Sequence, residues 1–407
     1  MAITLGYSQA QITPPLSAER PVFLAGFSRN RRASAVHDDL FVRALSLRLP
    51  DQALILAAVD LIGLPYPFCK RCEDRIRQAV PQARLILSCS HTHHGPDTLG
   101  LWGETPFSSG ADPAYLQTLE ETVVTIALKS LEGAVPAGLR VAAIATQGVV
   151  KNIRDPHILD RELIALQFMT PDTHRVLATV VNFPCHPETL YPENTHITAD
   201  YPHYLRVEVE NSTHAPCLFL PGALGGMMTP DVVHHSWEEA QHIGERLARL
   251  ALNSLTHSAF LPSFPLEYLR VDFTIPFQSP LFEMALQNRL FIEPRDVLPD
   301  ISTQAGLLVI GPAALVHVPG ELLPALGLQI KQSLHERGYP ISGIIGLAND
   351  ELGYILPEEA YQYPDDPFHP GEHYEETMSV GPQAGSRVLK VVRELWTQLP
   401  VHSSLSS

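Results

Sequence analysis

The chain of 407 residues is long enough for one large domain or two ordinary ones, and its 45% of hydrophobic residues allows a sizeable core. Acidic residues outnumber basic ones by 44 to 28, which gives a formal charge of −16. This charge argues against a nucleic-acid partner and against stable association with an anionic membrane. The N-terminal segment MAITLGYSQAQITPP lacks the features of a signal peptide, and five cysteines cannot all pair, so we expect a cytoplasmic protein.

Apolar runs alternate with helical patterns along the first 260 residues, as expected for an α/β protein. The predicted strands are DQALILAAVD, ARLILSCS, RVLATVVNF and PCLFLP. The predicted helices are DPAYLQTLEETVVTIALKSLEG, in which Asp112 is the N-cap and Pro113 the first residue, and SWEEAQHIGERLARLALNSL.

The pattern changes near residue 260. LEYLRVDFTIPF is typical of an antiparallel edge strand, and Gly311-Pro312 predicts a hairpin turn. A helix is expected to open at Glu321, followed by the short buried strand in ISGIIGLAND and a closing helix in QAGSRVLKVVRELWTQL. The sequence contains no recognisable linker and no internal repeat. It therefore predicts one α/β domain over residues 1–407, with a mixed β-sheet core flanked by helices.

Polar side chains follow several of the predicted strands at the point where each strand ends. They are His91 and His93 after LILS, His186 after TVVNF, Glu321 after LVHVP, and Asn349 with Asp350 after GIIGLA. Because strand ends line the ligand-binding crevice of open α/β sheets, these side chains are candidates for one shared site.

The spacing of His91 and His93 leaves two functional arrangements open. Residues two apart on an extended chain point to the same side, so both imidazoles could reach one ion, or one could bind it while the other faces substrate. Imidazole is a good zinc ligand, and a carboxylate completes a site with one open position. The alternatives without a metal are hydrogen-bonded surface histidines and, for Glu321, charge complementation at a helix N-terminus.

The order of motifs resembles the catalytic domain of the neutral/alkaline, non-lysosomal ceramidases. The similar segments are ITLGYSQAQITPP, LAGFSR, VHDDLFVRALSL, CSHTHHGPD, NFPCHPETL, ITADYP, LPGALGGMMTPD, VPGELL, GLANDELGYILPEEAYQ and YEETMSVGP. They span nearly the whole chain. The resemblance implies the fold of that catalytic domain, without the C-terminal immunoglobulin-like domain of full-length ceramidases.

The resemblance also implies a set of site residues. One Zn²⁺ per chain would be held by His91, His186, Glu321 and Tyr374. His93 would face the scissile bond, and Arg154 approximately matches an arginine that contacts substrate. The chain departs from the family in one loop, where Thr229 stands in place of a serine and Met227 in place of an aspartate.

These features predict a zinc-dependent hydrolase that cleaves the C–N amide bond of an N-acyl amine, with His93 as acid and base and Thr229 as a hydrogen-bond donor to the oxyanion. A zinc esterase or lactonase and an inactive, zinc-stabilised binding protein are the alternatives. The acidic segment YQYPDDPFHPGEHYEE is expected to rim a closed polar pocket. The expected substrate is therefore a small soluble amide with a polar or cationic amine, not ceramide.

Overall fold

The computed structural model describes residues 3–291 and 299–399. In chain order the strands are β1 (Thr4–Gln11), β2 (Ala35–Val36), β3 (Phe41–Leu49), β4 (Gln52–Val59), β5 (Ala83–Cys89), β6 (Val135–Pro136), β7 (Gly138–Ala145), β8 (Val150–Asn152), β9 (Glu162–Met169), β10 (Val176–Phe183), β11 (His196–Ile197), β12 (Cys217–Pro221), β13 (Met228–Pro230), β14 (Leu266–Pro276), β15 (Asp300–Ile310), β16 (Ala313–His317), β17 (Glu321–Leu322), β18 (Ile341–Ile345) and β19 (Tyr354–Ile355). The helices are α1 (Tyr66–Ala79), α2 (Pro113–Ser130), α3 (Tyr201–Thr213), α4 (Trp237–Thr256), α5 (Pro280–Gln287), α6 (Pro324–Glu336), α7 (Tyr374–Thr377) and α8 (Ala384–Thr397).

Three larger sheets form the framework. Their strand orders are β5-β4-β3-β1-β6, β12-β10-β9-β7 and β14-β15-β16-β18. Each sheet is mixed, because β4 with β5, β10 with β12 and β16 with β18 are parallel while the other neighbours are antiparallel. The predicted mixed α/β architecture is confirmed, as is the edge position of β14.

The central strands are buried on both faces, and their alternation divides the core into layers. In β3, Leu45 and Leu47 join a cluster to which all three sheets contribute, whereas Val42 and Ala44 point into a second cluster with the helices. Successive side chains of a strand point to opposite faces, so one strand supplies both layers. The sheets therefore meet at a shared apolar centre.

Helices cover the outer faces of the sheets. α1 and α2 pack on the first sheet, α3 and α4 on the second, and α6 and α8 on the third. The caps follow the sequence signals, since Asp112 accepts a hydrogen bond from the Ala114 amide. None of the helices in the two described ranges combines the length and the apolar run that a bilayer span requires.

One boundary differs from the prediction. The helix expected to open at Glu321 begins at Pro324, and Glu321 lies in the two-residue strand β17, paired with Tyr354 of β19. The backbone amide of Glu321 donates to the Gly353 carbonyl at 3.0 Å, so a partner about thirty residues away fixes its conformation. Glu321 is therefore held by a strand pair and not by a helix terminus.

A buried ion pair ties the first two sheets together. The guanidinium of Arg206, on α3, donates to both carboxylate oxygens of Asp60 at 2.7 and 2.9 Å. Asp60 follows β4 and also accepts from the Phe41 amide at 3.0 Å. Both partners are buried, so neither charge has water to replace a lost partner.

We expect Arg206→Met to destabilise the protein by about 3–5 kcal/mol, because it leaves the Asp60 carboxylate buried and unpaired. Urea denaturation would measure the loss. Arg249→Met is the matched control, since Arg249 forms an exposed i,i+4 pair with Glu245, and it should change stability by less than about 0.5 kcal/mol. Equal effects of the two substitutions would contradict a special role for the buried pair.

Candidate metal centre and active site

His91 and His186 come from loops that follow β5 and β10, and backbone carbonyls fix both rings. Nδ1 of His91 lies 2.6 Å from the Ile62 carbonyl, and Nδ1 of His186 lies 2.9 Å from that of Met228. A carbonyl oxygen only accepts, so Nδ1 carries the proton in each ring. In its neutral form each ring therefore presents an Nε2 lone pair, the arrangement in which histidine binds metals.

Glu321 brings a carboxylate to the same point. Its Oε2 lies 3.0 Å from Nε2 of His186 and 3.4 Å from Nε2 of His91. Zinc–ligand bonds of about 2.0–2.1 Å place tetrahedral ligands about 3.3–3.4 Å apart, close to these distances. Two lone pairs and a carboxylate this close together repel one another unless a cation lies between them. The donor set thus fits Zn²⁺.

The electrostatics of these groups favour a positive charge among them. Burial would raise the pKa of Glu321, but His91 and His186 outweigh it and hold that pKa well below its usual range. Burial would lower the pKa of His186, but the charges of Glu188 and Glu321 raise it to about 9. The site therefore attracts a cation, whether a proton or a metal ion.

His93 completes the cluster. Its ring lies 5.0 Å from that of His91 and 5.4 Å from that of His186, centroid to centroid. Burial, and then the neighbouring histidines, lower its pKa well below the usual value, so its imidazole is neutral and able to accept a proton. Gly26 packs against this ring, and a Cβ there would come within 2.3 Å of the His93 Cγ.

Two ligand sets are compatible with this geometry. The nitrogen atoms of His91, His93 and His186 lie within 4.8 Å of one another, which makes a three-histidine site. In the set with Glu321 in place of His93, the carboxylate lies 3.0 and 3.4 Å from the two histidine nitrogens and carries a charge opposite to that of the metal. These two features favour His91, His186 and Glu321 as ligands.

The backbone at His91 departs from the extended chain assumed for the HTH spacing. His91 has a φ of 68°, in the left-handed region that few residues other than glycine and asparagine adopt readily. Its amide donates to the Leu61 carbonyl at 2.9 Å, which holds this conformation. Such backbone strain is commonly found at functional sites.

Glu188 and the predicted catalytic residue Thr229 lie together next to the histidine cluster. Glu188, which the sequence argument did not select, is buried with its Oε2 3.2 Å from Nδ1 of His93. The hydroxyl of Thr229, on β13, interacts with Glu188 and with Tyr191. In the sequence, the only indication of a role for Glu188 was its place two residues after His186. Such spacing is not characteristic of any kind of site.

Tyr374 lies at the start of α7 and lines the same cavity as His91, His93 and Glu321, with 40% of its surface exposed. Desolvation, and then the charges of Glu321 and Glu188, raise the pKa of Tyr374. Its hydroxyl therefore stays protonated unless a nearby cation offsets these charges. Its role as a fourth ligand stays a prediction.

Arg154 is held by two acids that follow Tyr374. It donates to Glu375 at 2.6 Å and to Glu376 at 2.7 and 3.1 Å. These bonds tie the Tyr374 segment to the loop after β8. Arg154 is not among the residues that line the cavity beside His93, and its contact with substrate stays a prediction.

A cavity of about 80 Å³ opens from the histidines and Glu321 into apolar surroundings. Its apolar lining is Ile62, Leu99, Leu101, Trp102, Phe277, Phe282, Leu286, Phe291, Ile301, Leu352, Met378 and Val380. Burial, and then the charge of Glu321, raise the pKa of Glu351, which favours the uncharged form of this wall residue. One end of the cavity is polar and the rest is hydrophobic.

The expectation of a closed polar pocket is therefore wrong. Of the acidic segment at 361–376, only Tyr374 lines the cavity, and none of its acids does. Two of them, Glu375 and Glu376, are turned toward Arg154 instead. The acidic composition of this segment predicted a polar cavity wrongly, because composition does not show which side chains face the cavity.

The fold is that of neutral ceramidase. The crystal structure of neutral ceramidase from Pseudomonas aeruginosa is 15% identical to this chain, with a TM-score of 0.78 over 100% of this chain and 76% of its own. A ceramidase complexed with C2 is 14% identical, with a TM-score of 0.79 over 100% and 77% of the respective chains. Neither a family model nor a curated protein matches the sequence. The predicted neutral ceramidase-like catalytic domain fold is thus confirmed, and at this identity the likeness establishes the fold alone.

We expect the purified protein to contain about one zinc per chain, and His91→Ala and His186→Ala each to abolish it, because each removes one of three converging donors. Elemental analysis is the measurement. His203→Ala, which removes a half-buried histidine paired with Asp38, should leave the zinc content unchanged. Normal zinc in both ligand variants would contradict the assignment.

Proposed function

We propose that this protein is a zinc-dependent hydrolase that cleaves the C–N amide bond of an N-acyl amine. The observation that carries the proposal is the convergence of the His91 and His186 Nε2 atoms on the Glu321 carboxylate, with neutral His93 beside them and an apolar cavity in front. The likeness to structures of ceramidases supports amides as the substrate class.

His91, His186 and Glu321 would hold the metal, with Tyr374 as a fourth donor. Zinc bound there would polarise the amide carbonyl and activate a water molecule for attack. His93 is uncharged and therefore accepts a proton from the attacking water. It then returns this proton to the nitrogen of the leaving amine, so that the products are a carboxylic acid and an amine.

Thr229 is proposed to stabilise the negative charge that develops on the carbonyl oxygen. Its hydroxyl lies with Glu188 and Tyr191. Donation to the oxyanion requires that the hydroxyl turn from Glu188 to the substrate. Arg154 is proposed to contact the substrate from the neighbouring loop.

The cavity supports an apolar acyl group. Aromatic and aliphatic side chains surround the space in front of His93, and the burial of each methylene contributes about 0.8 kcal/mol. The amine is proposed to be small and soluble, which keeps the substrate out of the bilayer. A zinc esterase or lactonase would use the same site and needs less assistance to its leaving group.

We expect His93→Ala to retain zinc and to lose turnover by about 10²–10⁴-fold, because the acid and base is removed while the metal donors remain. Steady-state kinetics and elemental analysis on the same sample test this. Loss of zinc in the variant would instead place His93 among the ligands.

Thr229→Val, which is nearly isosteric, should lower kcat by about 10²-fold or more with zinc still bound, because the oxyanion loses a hydrogen-bond donor. Turnover numbers and zinc content are to be compared with those of the unaltered protein. Unchanged kcat would show that this loop has no catalytic contact with substrate.

Acetyl, hexanoyl and dodecanoyl amides of one chromogenic amine test the acyl site. Each methylene accommodated in the cavity should raise kcat/KM about fourfold, from about 0.8 kcal/mol of burial. Phe282→Ala should reduce this gain, whereas Phe107→Ala, which removes an exposed ring outside the cavity, should not.

The same panel tests the rest of the substrate proposal. Matched esters separate an amidase from an esterase, and detergent-dispersed ceramide tests the choice of a soluble amine. A clear preference for ceramide would refute the soluble substrate. Equal kcat/KM for acetyl and dodecanoyl amides would refute the acyl site.

A further inference from the structure

Glu188 is a buried carboxylate in an unusual position. It lies two residues after His186, is 2% exposed, and has its Oε2 3.2 Å from Nδ1 of His93. Burying a carboxylate costs several kcal/mol unless charges and hydrogen bonds compensate. Burial raises the pKa of Glu188, and the neighbouring imidazoles and the Thr229 hydroxyl offset part of this effect.

The three histidines of the cluster differ in what faces Nδ1. In His91 and His186 it is a neutral backbone carbonyl, at 2.6 and 2.9 Å. In His93 it is the carboxylate of Glu188. A carboxylate only accepts hydrogen bonds, so it favours the tautomer of His93 with the proton on Nδ1 and the lone pair on Nε2.

Neither nitrogen of His93 makes a hydrogen bond to a residue within 3–291 or 299–399, although the 3.2 Å separation from Glu188 is short enough for one. The N–H of Nδ1 is therefore directed off the line to the carboxylate. Catalytic hydrogen bonds are often misaligned in the free enzyme and tighten when substrate binds. Gly26 and Phe27 pack against the ring and limit its other rotations.

We propose that Glu188 is a positioning residue that sets the tautomer and orientation of His93. By accepting the Nδ1 proton it directs the Nε2 lone pair toward the water that attacks the substrate. This inference rests on the proposed function of His93. It adds to the active site a residue that neither the motif order nor the predicted ligand set contains.

A double-mutant cycle tests whether Glu188 acts through His93. Glu188→Gln keeps the shape of the side chain but can present an amide donor to Nδ1, and it should lower kcat about 10²-fold with KM changed less than threefold and zinc retained. In the His93→Ala background the same change should alter the residual kcat less than twofold. Glu188→Asp should restore part of the loss, and Glu193→Gln, an exposed glutamate five residues on, should have no effect.

Two results would overturn the proposal. An equal loss of kcat in both backgrounds would show that Glu188 does not act through His93. Loss of zinc in Glu188→Gln would make Glu188 a metal ligand or a structural support of the ligands. Failure of the proposed function is distinguishable, because the unaltered protein would then hydrolyse no amide, or His93→Ala would retain full turnover.

A spectroscopic readout is independent of activity. In protein labelled with ¹⁵N-histidine, the His93 signals, identified by their loss in His93→Ala, should show the Nδ1-protonated tautomer. Glu188→Gln should shift them toward the Nε2-protonated form. The same tautomer in both proteins would overturn the proposal.

Discussion

The Glu321 carboxylate, buried between the Nε2 atoms of His91 and His186, is the constraint on which the site depends. The two nitrogen atoms lie 3.0 and 3.4 Å from Oε2 of Glu321, and a cation among these electron-rich atoms, whether a proton or a metal ion, makes the arrangement favourable. Their loops follow strands of three different sheets, so the sheets must be packed closely and in fixed register. The apolar centre to which all three sheets contribute supplies that rigidity.

Most of the framework could be predicted because its signals are local. Apolar runs bounded by turn residues predicted β4, β5, β10, β12, β14 to β16 and β18, whereas β1, β3, β7 and β9 were not predicted. Asp112 with Pro113 marked the start of α2 correctly. Three members of the cluster, His91, His93 and His186, could be selected because they directly follow such runs. Their convergence was a consequence of strand ends meeting, not of any one motif.

The remaining features depend on contacts between distant parts of the chain. The conformation of Glu321 is set by its pairing with Tyr354, which overrode the helix signal around it. Glu188 carries no pattern of its own, and only the fold shows that it faces His93. The character of the cavity also depends on which side chains point inward, and for this reason the acidic composition of 361–376 was misleading.

The site combines a polar end that attracts a cation with a long apolar wall, a division suited to a molecule with one hydrolysable polar bond and a hydrocarbon part.

The central claim is that His91, His186 and Glu321 bind the metal while His93 remains free for proton transfer. A crystal structure with anomalous data collected on both sides of the zinc edge tests it most directly. The account predicts one zinc about 2.0–2.2 Å from the two Nε2 atoms and a Glu321 oxygen, with His93 beyond bonding distance. Zinc bound by all three histidines with Glu321 displaced, or no zinc at all, would contradict it.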